Sequence, residues 1–304
     1  MSATRVTRAW SCTVRLVVED ARVLDAAAAD LQTLLARVDE AASRFRAHSQ
    51  LSRANGRAGR PTPISLLLVE FVDAALRMAA HTGGAVDPTV GRAMHRIGYD
   101  RDISAVPADG PAARPVAATR GWRDVRLDRV TGLLTVPVGT ALDLGATAKA
   151  HAADLAAATL ARRYRTAVLV ELGGDVAVAG DRPDGWVLQV AEREGSDGQL
   201  VLVHAGGLTT STTTVRQWRR GGRPVHHILD PRTGVPADGP WRTATVAADD
   251  ALHANAASTA AIVLGDRAVE WLEHHGYAAR LVAHDGSVRT TAGWPAPRVP
   301  AGAR

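Results

Sequence analysis

Hydrophobic positions recur along the chain with two spacings, and these spacings predict its first strand and helices. Residues 13–19 (TVRLVVE) are rich in β-branched side chains, which is typical of a strand. Alanine and leucine then recur at helical spacing over residues 23–44, which predicts a long helix. Residues 49–56 are expected to form a polar loop. A second helix is predicted from Pro63 to about residue 80, because the paired glycines that follow are typical of a helix end.

The centre of the chain is expected to contain a surface excursion and then short strands around one helix. Residues 100–120 hold prolines and glycines among small polar residues, which indicates irregular structure between two halves. Two strands are predicted at 125–127 and 133–137, before a helix that starts near Gly145 and runs to about residue 162. Over 166–208, short β-rich segments alternate with Gly and Asp turns.

The C-terminal part completes the pattern. It is predicted to contain strands at 226–230, 243–247, 279–284 and 287–291, and helices at 251–264 and 267–275. Meander-like strands with segregated helices predict an α+β fold of mixed, mainly antiparallel sheets, and not a doubly wound sheet. The 304 residues suffice for a single domain with a sizeable core, which we expect to consist of two intimate lobes, roughly 1–120 and 121–304.

Composition and charge exclude several function classes. The formal net charge is +5, but the arginines are scattered without interleaved aromatic residues, so we expect no nucleic-acid partner. The N-terminus has no apolar run behind its positive charges, and no later segment approaches membrane-spanning length, so a cytoplasmic protein without membrane insertion is expected. The single Cys12 excludes internal disulfides and a cysteine-built metal site.

The only lysine of the chain, Lys149, stands in the segment L-D-L-G-A-T-A-K. A helix that starts near Gly145 places this ammonium in the first turns, where it opposes the helix dipole unless an anion is nearby. Helix N-termini also present free N–H groups to phosphates. Asp143, the Gly145 turn and Lys149 together therefore indicate one wall of a phosphate-ligand site. A solvated lysine on an ordinary helix is the alternative.

Three further segments have functional and structural interpretations. Asp87 lies in G-G-A-V-D-P-T-V-G, whose glycines allow close backbone approach, although a helix-ending turn also explains them. Residues 171–175 (ELGGD) predict a hairpin. The hydroxyl groups of residues 209–214 can donate hydrogen bonds to a phosphate, but such a run is more often a plain edge strand.

Two pairs of polar residues are candidates for catalysis and metal binding. The adjacent His226 and His227 point to opposite faces of a strand, so only one of them can face a cleft and act as a general base near neutral pH. Asn255 and Thr259 lie four residues apart, on one face of a predicted helix. Neutral oxygen donors suit Mg²⁺ only weakly, and a polar stripe on an alanine-rich helix is the alternative.

The order of these motifs resembles that of a known family. The segments L-S-R-A-N, G-A-V-D-P-T-V-G, L-D-L-G-A-T-A-K, E-L-G-G-D and H-I-L-D-P-R-T-G, with the helix at 255–259, are similar to those of the FAD:protein FMN transferases, the ApbE-type family. The resemblance extends over residues 9–265. D-P-R-T-G and L-D-L-G-x-x-A-K are specific when both occur in this order.

The resemblance implies an ApbE-like (T-fold-like) fold with an FAD cleft between two lobes. It implies an Mg²⁺-dependent enzyme that transfers the FMN half of FAD to a Thr or Ser hydroxyl of a small flavin-carrying acceptor protein and releases AMP. By the family pattern the catalytic base is His227, with His226 as the other possibility, and Gly173, Gly174 and Asp175 complete the pocket floor, Asp175 without an assigned role. The implied FAD contacts are Trp10, Asn55, Ala85, Val86, Asp87, Asp143, Lys149, Thr210 and Ile228, and the implied metal ligands are Ala146, Asn255 and Thr259.

The chain departs from the family pattern at two places. Asn255 stands where typical members have an acidic metal ligand, which removes a negative charge, and residues 210–214 replace the typical T-S-G-D-Y. Asp249, Asp250 or His253 in a shifted register is an alternative source of the lost charge. Many members are exported, whereas this N-terminus carries no export signal, so the acceptor should be reachable from the cytoplasm. The second functional hypothesis is a catalytically weakened FAD-binding protein or slow FAD pyrophosphatase.

Overall fold

The computed structural model describes residues 2–112, 121–192 and 195–296. The helices are α1 (Leu24–Ala42), α2 (Gln50–Gly56), α3 (Leu66–His81), α4 (Gly91–Arg96), α5 (Ala148–Tyr164), α6 (Ala251–Leu264) and α7 (Ala268–His274). The strands are β1 (Ala3–Ala9), β2 (Cys12–Val18), β3 (Thr62–Pro63), β4 (Arg126–Asp128), β5 (Leu133–Thr135), β6 (Val168–Leu172), β7 (Asp175–Ala179), β8 (Trp186–Ala191), β9 (Gly198–Val203), β10 (Gly206–Thr212), β11 (Gln217–Arg220), β12 (Arg223–His226), β13 (Leu229–Asp230), β14 (Val235–Pro236), β15 (Trp241–Ala248), β16 (Ala278–Ala283) and β17 (Val288–Thr290).

One large antiparallel sheet organises the molecule. Its eight strands lie in the order β1-β2-β6-β7-β10-β15-β16-β17, and every neighbouring pair is antiparallel. Helices α1, α3 and α5 pack against one face through a core that includes Leu16, Val170 and Phe71. This arrangement confirms the predicted α+β class with mainly antiparallel strands.

Helix α6 packs against the same sheet at β10 and β15. Its buried positions are mostly alanine, including Ala254, Ala257 and Ala261, each with no exposed surface. Small side chains let a helix approach a sheet closely, because each adds little bulk between the two backbones. The polar residues of α6 that face β7 and β10 are therefore held at short range.

The β8–β9 hairpin covers part of the opposite face. Trp186, Val190 and Val201 pack there on Leu169 and Val178. Val17 of β2 packs against this cluster, whereas Thr4, Val6 and Arg8 of β1 on the same face are exposed.

Several predicted elements differ from the structure. The segment predicted as a polar loop at 49–56 is helix α2, because Ser49 accepts a hydrogen bond from Ser52 N at 2.9 Å and Leu51 and Ala54 are buried. Pro63 does not open a helix: it lies in β3, and α3 begins after Ser65, whose hydroxyl accepts from Leu68 N. Short polar segments such as these show little hydrophobic periodicity, so their secondary structure is hard to predict from the sequence.

Two further differences concern the candidate site. Helix α5 begins at Ala148 and not near Gly145, because the residues before it form a turn in which Gly145 N donates to Asp143 Oδ1 at 2.7 Å. The hydroxyl run does not form an edge strand: β10 pairs with β7 on one side and β15 on the other. Of the predicted excursion at 100–120, residues 113–120 lie outside the described residues.

Within the parts of the chain that the structure describes, no helix combines the length and the apolarity needed to cross a bilayer.

Candidate functional site

A cavity of about 1370 Å³ lies beside the ends of β6, β7 and β10. The residues predicted for the site line it with one exception, Asn55. The lining includes Trp10, Ala85, Val86, Asp87, Asp143, Ala146, Lys149, Thr210, His227, Ile228, Asn255 and Thr259. The tertiary structure thus brings together residues that are more than 240 positions apart in the chain.

Asn55 acts on the cavity only through the backbone. Its Nδ2 donates to Leu142 O at 2.9 Å, and Leu142 N donates to its Oδ1 at 2.7 Å. This two-way contact fixes the strand-like segment that leads into Asp143. Asn55 is therefore placed to orient a wall of the cavity and not to line it.

Asp143 is buried in a network that holds the turn before α5. Its backbone N–H donates to Pro88 O at 2.7 Å, which ties it to the segment of Asp87. Its carboxylate accepts from Gly145 N and forms an ion pair with Arg44 Nε at 3.0 Å. The Arg44 guanidinium lies 4.4 Å from the centre of the Tyr99 ring. Asp143 thus braces the phosphate-binding turn that the sequence predicts, with Arg44 as a partner that the sequence did not indicate.

Asp87 is likewise held by its own loop. Its Oδ1 accepts from the backbone and the hydroxyl of Thr89, at 2.8 and 2.6 Å, and its Oδ2 accepts from Trp122 N at 3.3 Å. These contacts fix the loop on the cavity wall, where Ala85 and Val86 lie beside it.

The centre of the site is a buried contact between three elements. Lys149 Nζ on α5 donates to Asp175 Oδ2 at 2.6 Å, and Asn255 Nδ2 on α6 donates to Asp175 Oδ1 at 2.6 Å. Asp175 is 1% exposed and is the first residue of β7. The β6–β7 turn places it there: Gly173 and Gly174 both have positive φ, and a side chain on Gly173 would meet Cys12 Cβ at 2.5 Å.

This contact gives Asp175 the role that the sequence did not reveal. A buried carboxylate needs a partner charge and hydrogen bonds, and here the only lysine supplies the charge. The anion that the N-terminus of α5 requires near Lys149 is thus Asp175. Asp249 and Asp250, the alternative sources of the negative charge that Asn255 lacks, do not line the cavity. Asp250 instead caps α6: it accepts from His253 N at 2.7 Å and also contacts the His253 ring.

Hydroxyl groups continue the polar layer between β10 and α6. Ser211 Oγ lies 2.8 Å from Ser258 Oγ and 2.9 Å from Thr259 Oγ1, whereas Thr210 turns to the other face and contacts Thr245 at 2.9 Å. Alternation along β10 therefore assigns Ser211 to the α6 side and Thr210 to the other side of the sheet. Both residues line the cavity.

The residues predicted to bind a metal present oxygen donors that fit Mg²⁺. Asn255 Oδ1 is buried and has no hydrogen-bond partner among the described residues, and Asp175 next to it supplies the negative charge that an amide lacks. Ala146 and Thr259 line the same cavity. Among the residues described, no cluster of three or more His, Cys, Asp or Glu side chains is arranged for a metal, so such a site would rely on carbonyl and hydroxyl oxygens.

The two histidines separate as the alternation predicts. His226 Nε2 contacts Ala237 O at 3.1 Å and its Nδ1 accepts from Ile228 N, which fixes this ring in the protein. His227 lines the cavity, and its Nδ1 is buried without a partner among the described residues. Burial, helped by the positive charge of Arg216, holds the pKa of His227 well below its usual range. The ring is therefore neutral. Because His227 lines the cavity with a nitrogen that has no partner among the described residues, whereas both nitrogens of His226 are engaged, the geometry favours His227 over His226 as the candidate base.

Arg216 is a cavity residue that sequence reasoning missed. Its guanidinium forms no hydrogen bond or ion pair with any residue in the described ranges, whereas its backbone is hydrogen-bonded to the His227 ring and its charge lowers the pKa of His227. An unpaired guanidinium in a cavity is suited to bind a phosphate. No local signal could have identified it, because it is one arginine among many scattered along the chain.

Trp10 lies in a two-residue turn between β1 and β2. Trp10 and Ser11 have φ values of 52° and 57°, a left-handed conformation that side chains larger than Gly rarely adopt. The Ser11 hydroxyl donates to Asp102, which helps to hold the turn. Backbone strain of this kind occurs at sites where a side chain must be held in one direction, and the Trp10 indole lines the cavity.

Known proteins share this sequence and this fold. The model of the ApbE family matches residues 9–281. The FAD:protein FMN transferase of Klebsiella pneumoniae (strain 342) is 28% identical over 302 residues, covering 95% of this chain and 85% of that protein. The FAD:protein FMN transferase of Treponema pallidum (strain Nichols) is 32% identical over 308 residues, covering 93% and 84%.

Solved structures agree with these matches. The ApbE protein of Thermotoga maritima superimposes with a TM-score of 0.85 at 26% identity, covering 96% of this chain and 97% of that one. The flavinyl transferase ApbE of Pseudomonas stutzeri in its apo form has the same fold, with a TM-score of 0.80 at 24% identity and coverage of 96% and 95%. The family match over most of the chain confirms the resemblance inferred from the motifs, and the chain belongs to the ApbE family.

Proposed function

We propose that the chain is an FAD:protein FMN transferase that requires Mg²⁺, transfers FMN from FAD to a Thr or Ser hydroxyl of an acceptor protein and releases AMP. The printed names of the relatives, FAD:protein FMN transferase, support the class of activity. The observation that carries the proposal for this chain is the Lys149–Asp175–Asn255 contact in the same cavity as the neutral His227.

The reaction makes one phosphoester bond and breaks one pyrophosphate bond. The acceptor hydroxyl oxygen attacks the phosphorus of the FMN half, the bond to the AMP phosphate breaks, and AMP leaves with the electron pair. His227 is the residue we propose to take the hydroxyl proton, because its ring is unprotonated and its Nδ1 has no hydrogen-bond partner among the described residues. Lys149 and Arg216 would lie against the phosphates, which carry the charge in such transfers.

Ala146, Asn255 and Thr259, with Asp175 beside them, are the residues we propose to hold Mg²⁺. A bound Mg²⁺ would neutralise charge on the phosphate oxygens and orient them. The buried Asn255 Oδ1, which has no hydrogen-bond partner in the part of the chain that the structure describes, supports this assignment. Trp10, Ala85, Val86, Asp87, Asp143, Thr210 and Ile228 would contact FAD, and Asn55 would act through Leu142.

The acceptor is proposed to be a small flavin-carrying protein that the chain meets in the cytoplasm. We also propose that the chain forms a single domain made of two closely packed lobes.

One observation favours a second candidate, a weakened FAD-binding protein or slow FAD pyrophosphatase. The amide of Asn255 takes the place of an acidic metal ligand, and the neighbouring Asp175 is already engaged by Lys149. Weaker Mg²⁺ binding would slow the transfer and let water act in place of the acceptor hydroxyl. The products would then be FMN and AMP.

The test incubates the purified protein with FAD, with and without Mg²⁺, and with and without a candidate acceptor that carries a target Thr. AMP release with covalent flavin on the acceptor supports the transferase. AMP and free FMN without labelled acceptor support the pyrophosphatase, and tight FAD binding without AMP supports a binding protein. No FAD binding would contradict the assignment of the cavity.

A further inference from the structure

The cavity is larger than most small-molecule sites. Its volume of about 1370 Å³ exceeds the range of about 300–1,000 Å³ that is usual for such sites. The lining extends beyond Lys149 and Asp175 to strand β8 and to residues of β1, β2 and β6, and we call this part of the cavity the groove. A group transfer to a protein needs room for that second reactant.

The floor of this groove is one face of the large sheet. Thr4 and Arg8 on β1, and Arg15 and Val17 on β2, lie on it by alternation, and all of them line the cavity. The register pairs Thr4 with Val17 and Arg8 with Thr13. The five residues from Thr13 to Val17 span about 13 Å, which is the length of a short extended peptide segment.

The wall of the groove is an open strand edge. Residues of β8 from Trp186 to Ala191 line the cavity, whereas none of β9 from Gly198 to Val203 does. Among the described residues β8 pairs only with β9, so the backbone groups on its other edge face the groove. An open edge is a template on which an extended chain can add as a further strand.

Both ends of β8 are attached to the sheet, which holds the groove open. Before the strand, Arg182 Nη1 pairs with Glu19 Oε1 at 3.6 Å. After it, Glu192 accepts from Arg242 Nη2 at 2.7 Å and from Thr243 Oγ1 at 2.8 Å. These two anchors lie at opposite ends of β8, one beside β2 and the other on β15.

The second anchor points toward the proposed reaction centre. Thr243 pairs with Thr212, three residues along β10 from Thr209, and Thr209 pairs with Asp175. Three residues of a strand span about 10 Å. Thr212 and Thr243 face the hairpin side of the sheet and Asp175 faces α5 and α6, so a segment that follows β8 toward Glu192 would reach the Lys149–Asp175 contact by passing the β6–β7 turn, whose Gly173 and Gly174 line the cavity.

The outer face of the hairpin is exposed and apolar. Val187 is 67% exposed and lies opposite Leu202, which is 44% exposed, and Leu200 is 55% exposed beside them. Grouped exposed apolar side chains mark surfaces that contact another protein. This patch lies directly beside the open edge, so a protein whose segment pairs with β8 would also cover it.

We propose that the open edge of β8 is the docking site of the acceptor protein, which adds an extended segment as a third strand and leads its target hydroxyl to the reaction centre. The proposal rests on the transferase function proposed above. Recognition is through the main chain, with the polar floor and the apolar patch of the hairpin as side-chain contacts. The same groove serves no purpose in a protein that only stores or hydrolyses FAD.

The first test measures hydrogen exchange of the FAD-loaded chain with and without the acceptor domain that it flavinylates. That domain carries its target Thr replaced by Val, so that it binds without reacting. The outward amides of β8 should exchange about tenfold more slowly in the complex, whereas β9 amides, already bonded to β8, should change little. Protection confined to another surface, or no change in β8 when the domain is bound, would overturn the proposal.

A matched pair of variants tests the groove by kinetics. Thr4→Trp fills the groove floor far from the reaction centre, and Thr290→Trp places the same side chain on β17, the opposite edge strand of the same sheet. Thr4→Trp should raise KM for the acceptor about tenfold with little effect on the Kd for FAD, and Thr290→Trp should leave both unchanged. Equal effects of the two variants would contradict the docking site.

The two proposals fail in different ways. A wild-type chain that labels no acceptor contradicts the transferase function, and the docking site with it. Normal labelling with unprotected β8 amides contradicts the docking site alone.

Discussion

Asn255 donates to one oxygen of the Asp175 carboxylate at 2.6 Å, while Lys149 donates to the other oxygen at 2.6 Å. One buried carboxylate on β7 thus joins α5 to α6. Because the amide nitrogen of Asn255 faces Asp175, its Oδ1 is left without a hydrogen-bond partner among the residues described. That oxygen and the shared carboxylate are the atoms best suited to a cation.

Asn255→Asp is expected to make the protein more dependent on Mg²⁺. The substitution places two carboxylates in contact, so without Mg²⁺ the free energy of unfolding should fall by about 1–3 kcal/mol. With Mg²⁺ the additional charge should tighten ion binding and raise AMP release. The measurements are urea unfolding and AMP release as functions of Mg²⁺ concentration. Asn255→Ala is the control, and no Mg²⁺-dependent gain in the Asp variant would count against the placement of the metal.

Lys149→Met is expected to destabilise the fold as well as stop transfer. It leaves Asp175 buried without its cation, and removing one partner of a buried pair costs about 3–5 kcal/mol. Lys149→Arg retains the charge but replaces a compact ammonium with a larger planar fork, so it should unfold at a urea concentration nearer to wild type while AMP release drops. Wild-type stability in the Met variant would show that the pair is not a structural contact.

His227→Ala is expected to abolish transfer and leave FAD bound. The ring is the unprotonated base candidate of the cavity, and its Nδ1 has no hydrogen-bond partner among the described residues. His226→Ala is the matched control: this ring contacts Ala237 O and Ile228 N, so its loss should lower stability more than it lowers the chemical step. Single-turnover AMP release and flavin fluorescence separate the two effects, and unchanged transfer in His227→Ala would remove it as the base.

Arg216→Gln is expected to weaken FAD binding and move the acid limb of the pH profile. Arg216 lowers the pKa of His227, after the larger effect of burial. Without that charge the pKa of His227 rises toward its ordinary value. Transfer needs the neutral ring, so as the pH is lowered the variant should lose activity earlier, at a higher pH, than the wild type does. The pH dependence of single-turnover transfer tests this, with Arg219→Gln, an arginine outside the cavity, as the control.

Asp154→Asn is expected to change how stability depends on pH. Burial raises the pKa of Asp154 to about 7, although it accepts hydrogen bonds from Ala251 N and Leu252 N at the start of α6. The folded state therefore holds this proton more tightly than the unfolded chain, whose pKa is near 3.8. Its contribution to stability is present below that value, falls as the pH rises toward 7, and is lost above 7.

Between about pH 4 and pH 8, the titration of Asp154 should change the free energy of unfolding of the wild type by on the order of 2–4 kcal/mol. The variant lacks the ionisable group, so its stability relative to wild type should rise with pH between pH 4 and 8 and then level off. Urea unfolding at several pH values measures this difference. A difference that does not vary with pH would contradict the raised pKa.

Local patterns in the sequence determined the long helices and most strands. Strands rich in β-branched residues and helices with periodic alanines each bury one face against the core, and this burial produces the spacing of hydrophobic residues that the sequence shows. They did not identify α2, because its seven residues hold only two buried side chains, Leu51 and Ala54, in a polar segment. They did not identify β1 either, because its side chains are mostly exposed at the sheet edge.

By itself the sequence determined the family, through ordered motifs, and it singled out Lys149, Asp143, His227, Asn255 and Thr259. Only the tertiary structure decided what these residues contact. Asp175 acquired a role because β6 and β7 turn at Gly173 and Gly174 and point its carboxylate between α5 and α6, and Arg216 entered the cavity from a distant segment. Contacts between residues far apart in the chain depend on how sheets and helices pack, and one sequence carries no local pattern for that packing.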